Sequence, residues 1–235
     1  MKNVLLFSFF ILLFSCQERS PSTPEDRKIA EAEKPIPTAE EKPPYVPVKV
    51  EVGPDDRTYV PGRRIGMITA ETTPEQLTEL YGADNVRADS ISLGKGFKVA
   101  GYKVFPGTAA EIGVIYPNEA MRVRDLQVTI DLGSTEWKSR QNGVGIGTTV
   151  EELEEYNGHP FTFMGFDWDY AGVVTDWQGG ALTDHRLRLG YDFANRDKIE
   201  LHKTLVGNQK VVANNPYLDD VDVEVIQIIV RLPKW

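Results

Sequence analysis

Thr72-Thr73-Pro74-Glu75-Gln76-Leu77-Thr78-Glu79-Leu80-Tyr81-Gly82 aligns without gaps on Thr148-Thr149-Val150-Glu151-Glu152-Leu153-Glu154-Glu155-Tyr156-Asn157-Gly158, and six of the eleven positions are identical. Each copy carries the punctuation of a short helix. Thr73 and Thr149 are N-cap residues, and Gln76 and Glu152 stand three places on to complete a capping box. Pro74 suits the first helical position, and Glu75 and Glu151 complement the positive end of the helix. Leu77 with Leu80, and Leu153 with Tyr156, are spaced to share an apolar face. Gly82 and Gly158 stop the helix. The repeat therefore predicts two helices of two to three turns at matching places in two matching units.

Strand-like segments follow each helix. In the first unit Tyr102–Phe105, Ile112–Tyr116 and Leu126–Leu132 alternate in part. In the second, Phe161 to Tyr170 reads as a half-buried strand, with Met164, Phe166, Trp168 and Tyr170 on one parity and Asp167 and Asp169 on the other. Gly165 marks a bulge where Phe161 and Phe163 change phase. Ala171-Gly172 reads as a turn and Val173–Trp177 as the return strand; Leu187–Phe193 and Val221–Leu232 complete the set. Trp137 and Trp235 each stand a few residues past the last strand of their unit. The expectation is an α+β fold of two tandem units, each a short N-terminal helix followed by an antiparallel β-meander.

Upstream, the composition changes. Residues 17–61 hold nine of the fifteen prolines, many Glu and Lys, and no aromatic residue before Tyr45. Such a stretch buries too little apolar surface to offset its ordering entropy, which predicts a disordered, solvated tether over 16–61. Val46, Val48, Val50 and Val52 alternate with polar residues or proline, the pattern of an edge strand at the tether's end. Residues 62–142 and 143–235 are the expected first and second units.

Residues 1–15 read as a signal peptide: Lys2 gives the positive charge, and Val4 to Phe14 is an apolar run broken only by Ser8. The run is shorter than the roughly 20 residues needed to span a bilayer. Leu13-Phe14-Ser15-Cys16 resembles the lipobox of bacterial lipoprotein precursors. That resemblance implies cleavage before Cys16, acylation of Cys16, and a bilayer partner through that lipid. Gln17 in place of Asp points to the outer membrane of a diderm cell envelope. Cys16 is the only cysteine. Once it is acylated, thiol nucleophiles, thiolate metal sites and disulfides are excluded. The net charge of −9 argues against nucleic-acid binding, which requires a basic footprint.

Gly147-Thr148-Thr149, Leu153, Asn157-Gly158-His159-Pro160 and Trp168-Asp169-Tyr170 together resemble the outer-membrane assembly lipoprotein fold of the SmpA/BamE type. Two such units in tandem are similar to the layout of the β-lactamase inhibitor protein. Residues 64–182 also resemble uncharacterised bacterial envelope proteins with a Gly-Phe-x-Trp-Asp-Tyr segment followed by Trp-x-Gly-Gly, here Trp177-Gln178-Gly179-Gly180. This resemblance implies a fold and no activity. The first unit lacks the Trp-x-Tyr segment.

Catalytic signatures give little. Gly143-Val144-Gly145-Ile146-Gly147 lacks dinucleotide spacing and a P-loop lysine, so it reads as turn glycines before a capped helix. Among His159, His185 and His202, Asp184-His185 and Glu200-Leu201-His202 bring acid and imidazole together, with Glu200 and His202 on one expected strand face. The spacing is no metal signature. Asp167 and Asp169 sit on one side of one strand, whereas paired-acid glycoside chemistry wants acids across a cleft. No catalytic residue, metal or small-molecule cofactor is expected. The aromatic concentration from Phe161 to Trp177 admits three readings: core, partner-binding patch or sugar platform. The preferred expectation is a non-enzymatic, membrane-anchored interaction module with an envelope protein as partner, contacted through Asp167, Trp168, Asp169, Tyr170, Trp177, Gly179 and Gly180. The alternative is an envelope hydrolase or carbohydrate-binding protein using the Asp167–Trp177 hairpin. Convergence of Asp167, Asp169, Asp184 and His185 in one pocket would favour the alternative.

Overall fold

The computed structural model describes residues 52–94 and 96–234. The signal peptide, Cys16, Val46, Val48, Val50 and Trp235 lie outside the described residues. In chain order come β1 (Thr58–Val60), β2 (Arg64–Ile65), α1 (Pro74–Tyr81), β3 (Val86–Gly94), β4 (Phe97–Val104), β5 (Ile112–Ile115), β6 (Leu126–Asp131) and β7 (Lys138–Ser139). Then follow α2 (Val150–Asn157), β8 (Thr162–Met164), β9 (Val174–Asp176), β10 (Leu187–Tyr191), α3 (Arg196–Leu201), β11 (Lys210–Val212) and β12 (Val223–Leu232). Short 3₁₀ turns link several of them. The fold is α+β.

Six strands form one antiparallel sheet in the order β10-β12-β6-β5-β4-β3. A second sheet, β11-β8-β9, joins its β10 edge through the single bridge Val173↔Arg188. Gly172 makes that junction possible. It has φ +68°, and a Cβ there would strike the Leu189 carbonyl oxygen. One sheet and one core cluster run across residues 142 and 143, and the described residues belong to one compact unit, Lys49–Trp235.

Both helices begin as their sequences dictate. Thr73 accepts from the Gln76 amide at 3.3 Å while its own amide donates to Gln76 Oε1 at 2.9 Å. Thr149 and Glu152 repeat the exchange at 3.3 and 2.9 Å. One position earlier the correspondence continues. Thr72 Oγ1 accepts from the Thr69 amide at 2.9 Å, and Thr148 Oγ1 from the Gly145 amide at 3.0 Å. Both threonines are buried.

The inward face keeps Leu77, Leu80 and Leu153 as expected and loses Tyr156. Leu77 and Tyr81 are the buried residues of α1, and Val150, Leu153 and Asn157 those of α2, whereas Tyr156 is exposed. The most deeply buried line runs along i,i+4 through Tyr81 and Asn157, aligned in the repeat. Leu80, partly buried, still packs on the core beside Leu77, and Tyr156 alone leaves its expected place.

The sheet's two faces are both apolar in part. Val104, Ile112, Val114, Leu126, Val128, Ile130, Ile228 and Val230 face the main core with the helices. On the opposite parity Ile91, Val99, Ile115 and Val123 form a smaller cluster, with Leu93 and Met121 packed on it.

Three expectations are corrected. The tether bound at 61 is too late: Tyr59 is 1% exposed, pairs with Ile65 and Ser139, and donates its hydroxyl to Val144 O at 3.1 Å. Averaged composition hides a three-residue strand. The strand over Phe161–Tyr170 shrinks to β8, because Phe166 leaves the β9 ladder to bridge Val206 and Asp167, at φ +60°, bends the chain into the turn at 169–172. The phase change does fall at Gly165, with Phe161, Phe163 and Phe166 all buried. Glu200 and His202 share no strand. Glu200 lies in α3, paired with Arg196 one turn earlier at 2.9 Å, and His202 follows the helix, stacked on Tyr217.

Leu77→Ala and Leu153→Ala should each cost about 2–5 kcal/mol, the range for emptying a buried leucine site. Tyr156→Ala, at the exposed position, should cost under about 1 kcal/mol. Denaturant unfolding of the three variants checks the assignment of the inward face.

Candidate functional site

The predicted contact segment divides into a buried part and a displayed part. Trp177 is 6% exposed, lies against Phe161, and donates Nε1–H to His185 O at 2.9 Å. Gly180 is buried, and a Cβ there would overlap the Asn157 side chain. Asn157 latches this turn to the end of α2. Its Nδ2 donates to Trp177 O at 2.9 Å and to His159 O at 2.8 Å, and its Oδ1 accepts from the Leu182 amide at 3.1 Å. Trp177 and Gly180 are therefore packing residues, not a contact surface. Gly179, at φ +78°, is the exposed apex of the same turn.

The displayed part is the loop between β8 and β9. Phe166 returns to the core edge-on to Tyr191 at 5.1 Å. Next to it, the Tyr191 hydroxyl donates to Asp167 Oδ1 at 2.8 Å. Burial, then this carboxylate, push the Tyr191 phenol up to about 12. Trp168 donates Nε1–H to Gly165 O at 2.9 Å and meets the Tyr170 ring edge-on at 5.3 Å. The turn closes with Ala171 N–H on Trp168 O and Val173 N–H on Tyr170 O, both at 3.1 Å. Tyr170 is held 53% exposed.

Asp169 and Tyr170 line an open depression of about 690 Å³ with Leu93, Phe97, Ala120, Met121, Arg122 and Arg188. Phe97, at the start of β4, is 61% exposed. Its parity with Val99 places it on the sheet face of the smaller cluster. Arg122 sits in the turn 118–123 at φ +56°, an unfavourable conformation for a side chain with a Cβ. Asn118 fixes that turn by accepting the Met121 amide at 3.1 Å. Aromatic, aliphatic and guanidinium groups thus meet on one open face. Leu93, Phe97, Met121, Arg122 and Arg188 were not anticipated, because the depression joins four distant segments. The one local signal was the apolar Phe97 at a strand end with Val99 on the same parity.

The acidic and imidazole groups do not converge. Asp169 lines the depression, Asp167 is engaged with Tyr191, Asp184 is exposed, and His185 is buried beside a different cavity. His159 is exposed, and His202 Nε2 lies 3.4 Å from Asp220. Among the described residues, no group of three or more His, Cys, Asp or Glu is placed to hold a metal ion, and no helix is long and apolar enough to cross a membrane. No family model, curated protein or solved structure matches this chain.

His185 is 5% exposed, and neither ring nitrogen has a hydrogen-bond partner. Burial pulls it from 6.5 to about 4, against smaller opposing effects of Leu182 and Asp184. As pH falls the unfolded chain takes up this proton before the folded chain does. The stability it contributes is complete above pH 6.5 and is lost as pH falls toward 4. Its share of that loss is about 1.4 kcal/mol per pH unit. Denaturant unfolding across this range should show a shallower acid loss for His185→Gln than for the natural chain; equal slopes would contradict the buried neutral imidazole.

Proposed function

We propose that the chain is a non-enzymatic lipoprotein of the bacterial envelope, anchored through acylated Cys16, whose folded part binds an envelope protein. The observation that carries this reading is the depression where Phe97 and Tyr170, both largely exposed, stand beside Arg122, Arg188 and Met121. Tyr, Phe, Arg and Met are the residue types enriched at protein interfaces, and an exposed aromatic pair costs solubility unless something covers it. The partner that fits presents an apolar side chain flanked by carboxylates. Asp167, Trp168, Asp169 and Tyr170 belong to this reading as the loop that shapes one wall. The dispersal of Asp167, Asp169, Asp184 and His185 gives the hydrolase alternative no constellation to use.

The tandem arrangement is part of the same proposal. Support comes from the matching capping boxes, the matching Thr72 and Thr148 hydrogen bonds, and the strand order, with β3-β4-β5 on one side of the β6–β12 pair and β10 on the other, and β8 and β9 in an adjoining sheet bridged to β10. The likeness to the SmpA/BamE type and the outer-membrane placement rest on the sequence signatures.

A photo-crosslinking residue placed at Phe97, Tyr170 or Arg122 in the full chain, expressed in cells, tests the surface. Leu132 and Leu201, exposed elsewhere, serve as controls. A discrete adduct confined to the first three positions, and weakened when Cys16→Ser releases the chain from the detergent phase, is expected. Equal labelling at the controls, or detergent partitioning unchanged by Cys16→Ser, would contradict the reading.

A further inference from the structure

Alternation along two neighbouring strands collects positive charge at one place. In His185-Arg186-Leu187-Arg188-Leu189, Leu187 and Leu189 face the core, which turns Arg186 and Arg188 to the opposite side. In Gln227-Ile228-Ile229-Val230-Arg231-Leu232 the buried residues are Ile228, Val230 and Leu232, so Arg231 shares that side. The strands are in register there: Arg188 lies opposite Gln227, and the Ile229 amide donates to Arg186 O at 2.9 Å. The hairpin residues Val173, Thr175 and Trp177 form the facing wall. Together these groups border a half-open cavity of about 290 Å³ whose lining holds three arginines, His185 and no acid. That is near the lower end of small-molecule sites, roughly 300–1,000 Å³.

We propose that this cavity is a binding site for a phosphate group, clamped by Arg186, Arg188 and Arg231. Like charges set side by side on a sheet repel one another, and a bound anion relieves that repulsion. Among the described residues no carboxylate lies within the 4.0 Å of an ion pair with any of the three guanidiniums. Burial, then Arg186, pull Arg231 below its ordinary range, with Asp125 opposing from beyond contact distance. One side chain at the site also carries unmet hydrogen-bonding capacity: Arg188 Nε is buried without a partner, whereas the His185 ring turns to the core side against Tyr59. Native proteins leave few such groups, and a bound anion is one way in which such a donor is satisfied. A guanidinium presents parallel N–H donors that match two phosphate oxygens at once, and three guanidiniums suit a dianion better than a single carboxylate. The site goes beyond the protein-contact reading. Arg188 borders both cavities, whereas Arg186 and Arg231 border this one alone.

The test titrates inorganic phosphate into the full chain in neutral detergent, followed by calorimetry and by the thermal midpoint, with chloride at equal ionic strength as control. Saturable binding and a rise in midpoint beyond chloride are expected. Arg186→Gln with Arg231→Gln, both exposed, should weaken phosphate at least about tenfold, a difference calorimetry resolves readily. Without phosphate the double variant should melt no lower than the natural chain, since a repulsion has been removed. Sedimentation of the Cys16→Ser chain, free of the acyl anchor, with phosphatidylcholine vesicles containing or lacking phosphatidic acid separates the sources: arginine-dependent capture by the former assigns a lipid headgroup, and its absence beside phosphate binding assigns a soluble phosphate compound. A phosphate effect no larger than chloride, one undiminished in the double variant, or stronger binding of succinate than of phosphate would overturn the proposal.

Discussion

The antiparallel pairing of β6 with β12 is the constraint on which the rest of the sheet depends. It joins residues 126–131 to residues 227–232 in six consecutive pairs, from Leu126↔Leu232 to Asp131↔Gln227. Neither strand is stable alone, since each would leave a row of backbone donors and acceptors without partners. The register is fixed by burial. Leu126, Val128 and Ile130 alternate inward against Leu232, Val230 and Ile228, and a slip of one residue would turn the whole set to the wrong face. At the far end Gln227 Nε2 donates to Asp131 Oδ1 at 2.6 Å, which locks the same register from the other face. β5, β4 and β3 extend one side of this pair and β10 the other, and both capped helices rest on the face it presents.

Because the pairing aligns inward positions across the whole sheet, it also aligns the outward ones, and there the chemistry collects. Toward β3 and β4 the outward face carries Ile91, Leu93, Val99 and Phe97; toward β10 and β12 it carries Arg188, Arg186 and Arg231. Apolar and cationic regions meet at Arg188. A chain with net charge −9 that gathers arginines on one sheet face has separated its charges, and such separation steers an acidic partner toward that face.

The legible part of this fold was local. Capping boxes at Thr73 and Thr149 are short-range chemistry, readable from four residues, and both formed as the sequence dictates. β5, β6, β10 and β12 announced themselves by alternation. β3 did not, because Arg87, Asp89 and Ser90 break its apolar pattern near the sheet edge, where burial imposes little. α3 was missed because Arg196–Leu201 is too short for a helical period to show. The site was harder still. Trp177 and Gly180 looked displayed because aromatic and glycine residues serve cores and surfaces alike; only the Asn157 latch decides between them. The depression draws on 93–97, 120–122, 169–170 and 188, a neighbourhood created by strand order and carried by no single stretch. Arg186, Arg188 and Arg231 were present as a parity pattern, but parity becomes a site only once β10 and β12 are known to be neighbours.

The claim that the two halves depend on one shared strand pair is tested most directly by native-state hydrogen exchange of the backbone amides. Protection should be highest in β6 and β12, and the amides of β5 and β10, on opposite sides of the pair, should open with the same free energy and the same denaturant dependence. Separate opening, with β5 and β6 retaining full protection after β10 and β12 have exchanged, would show two independent units and contradict the account.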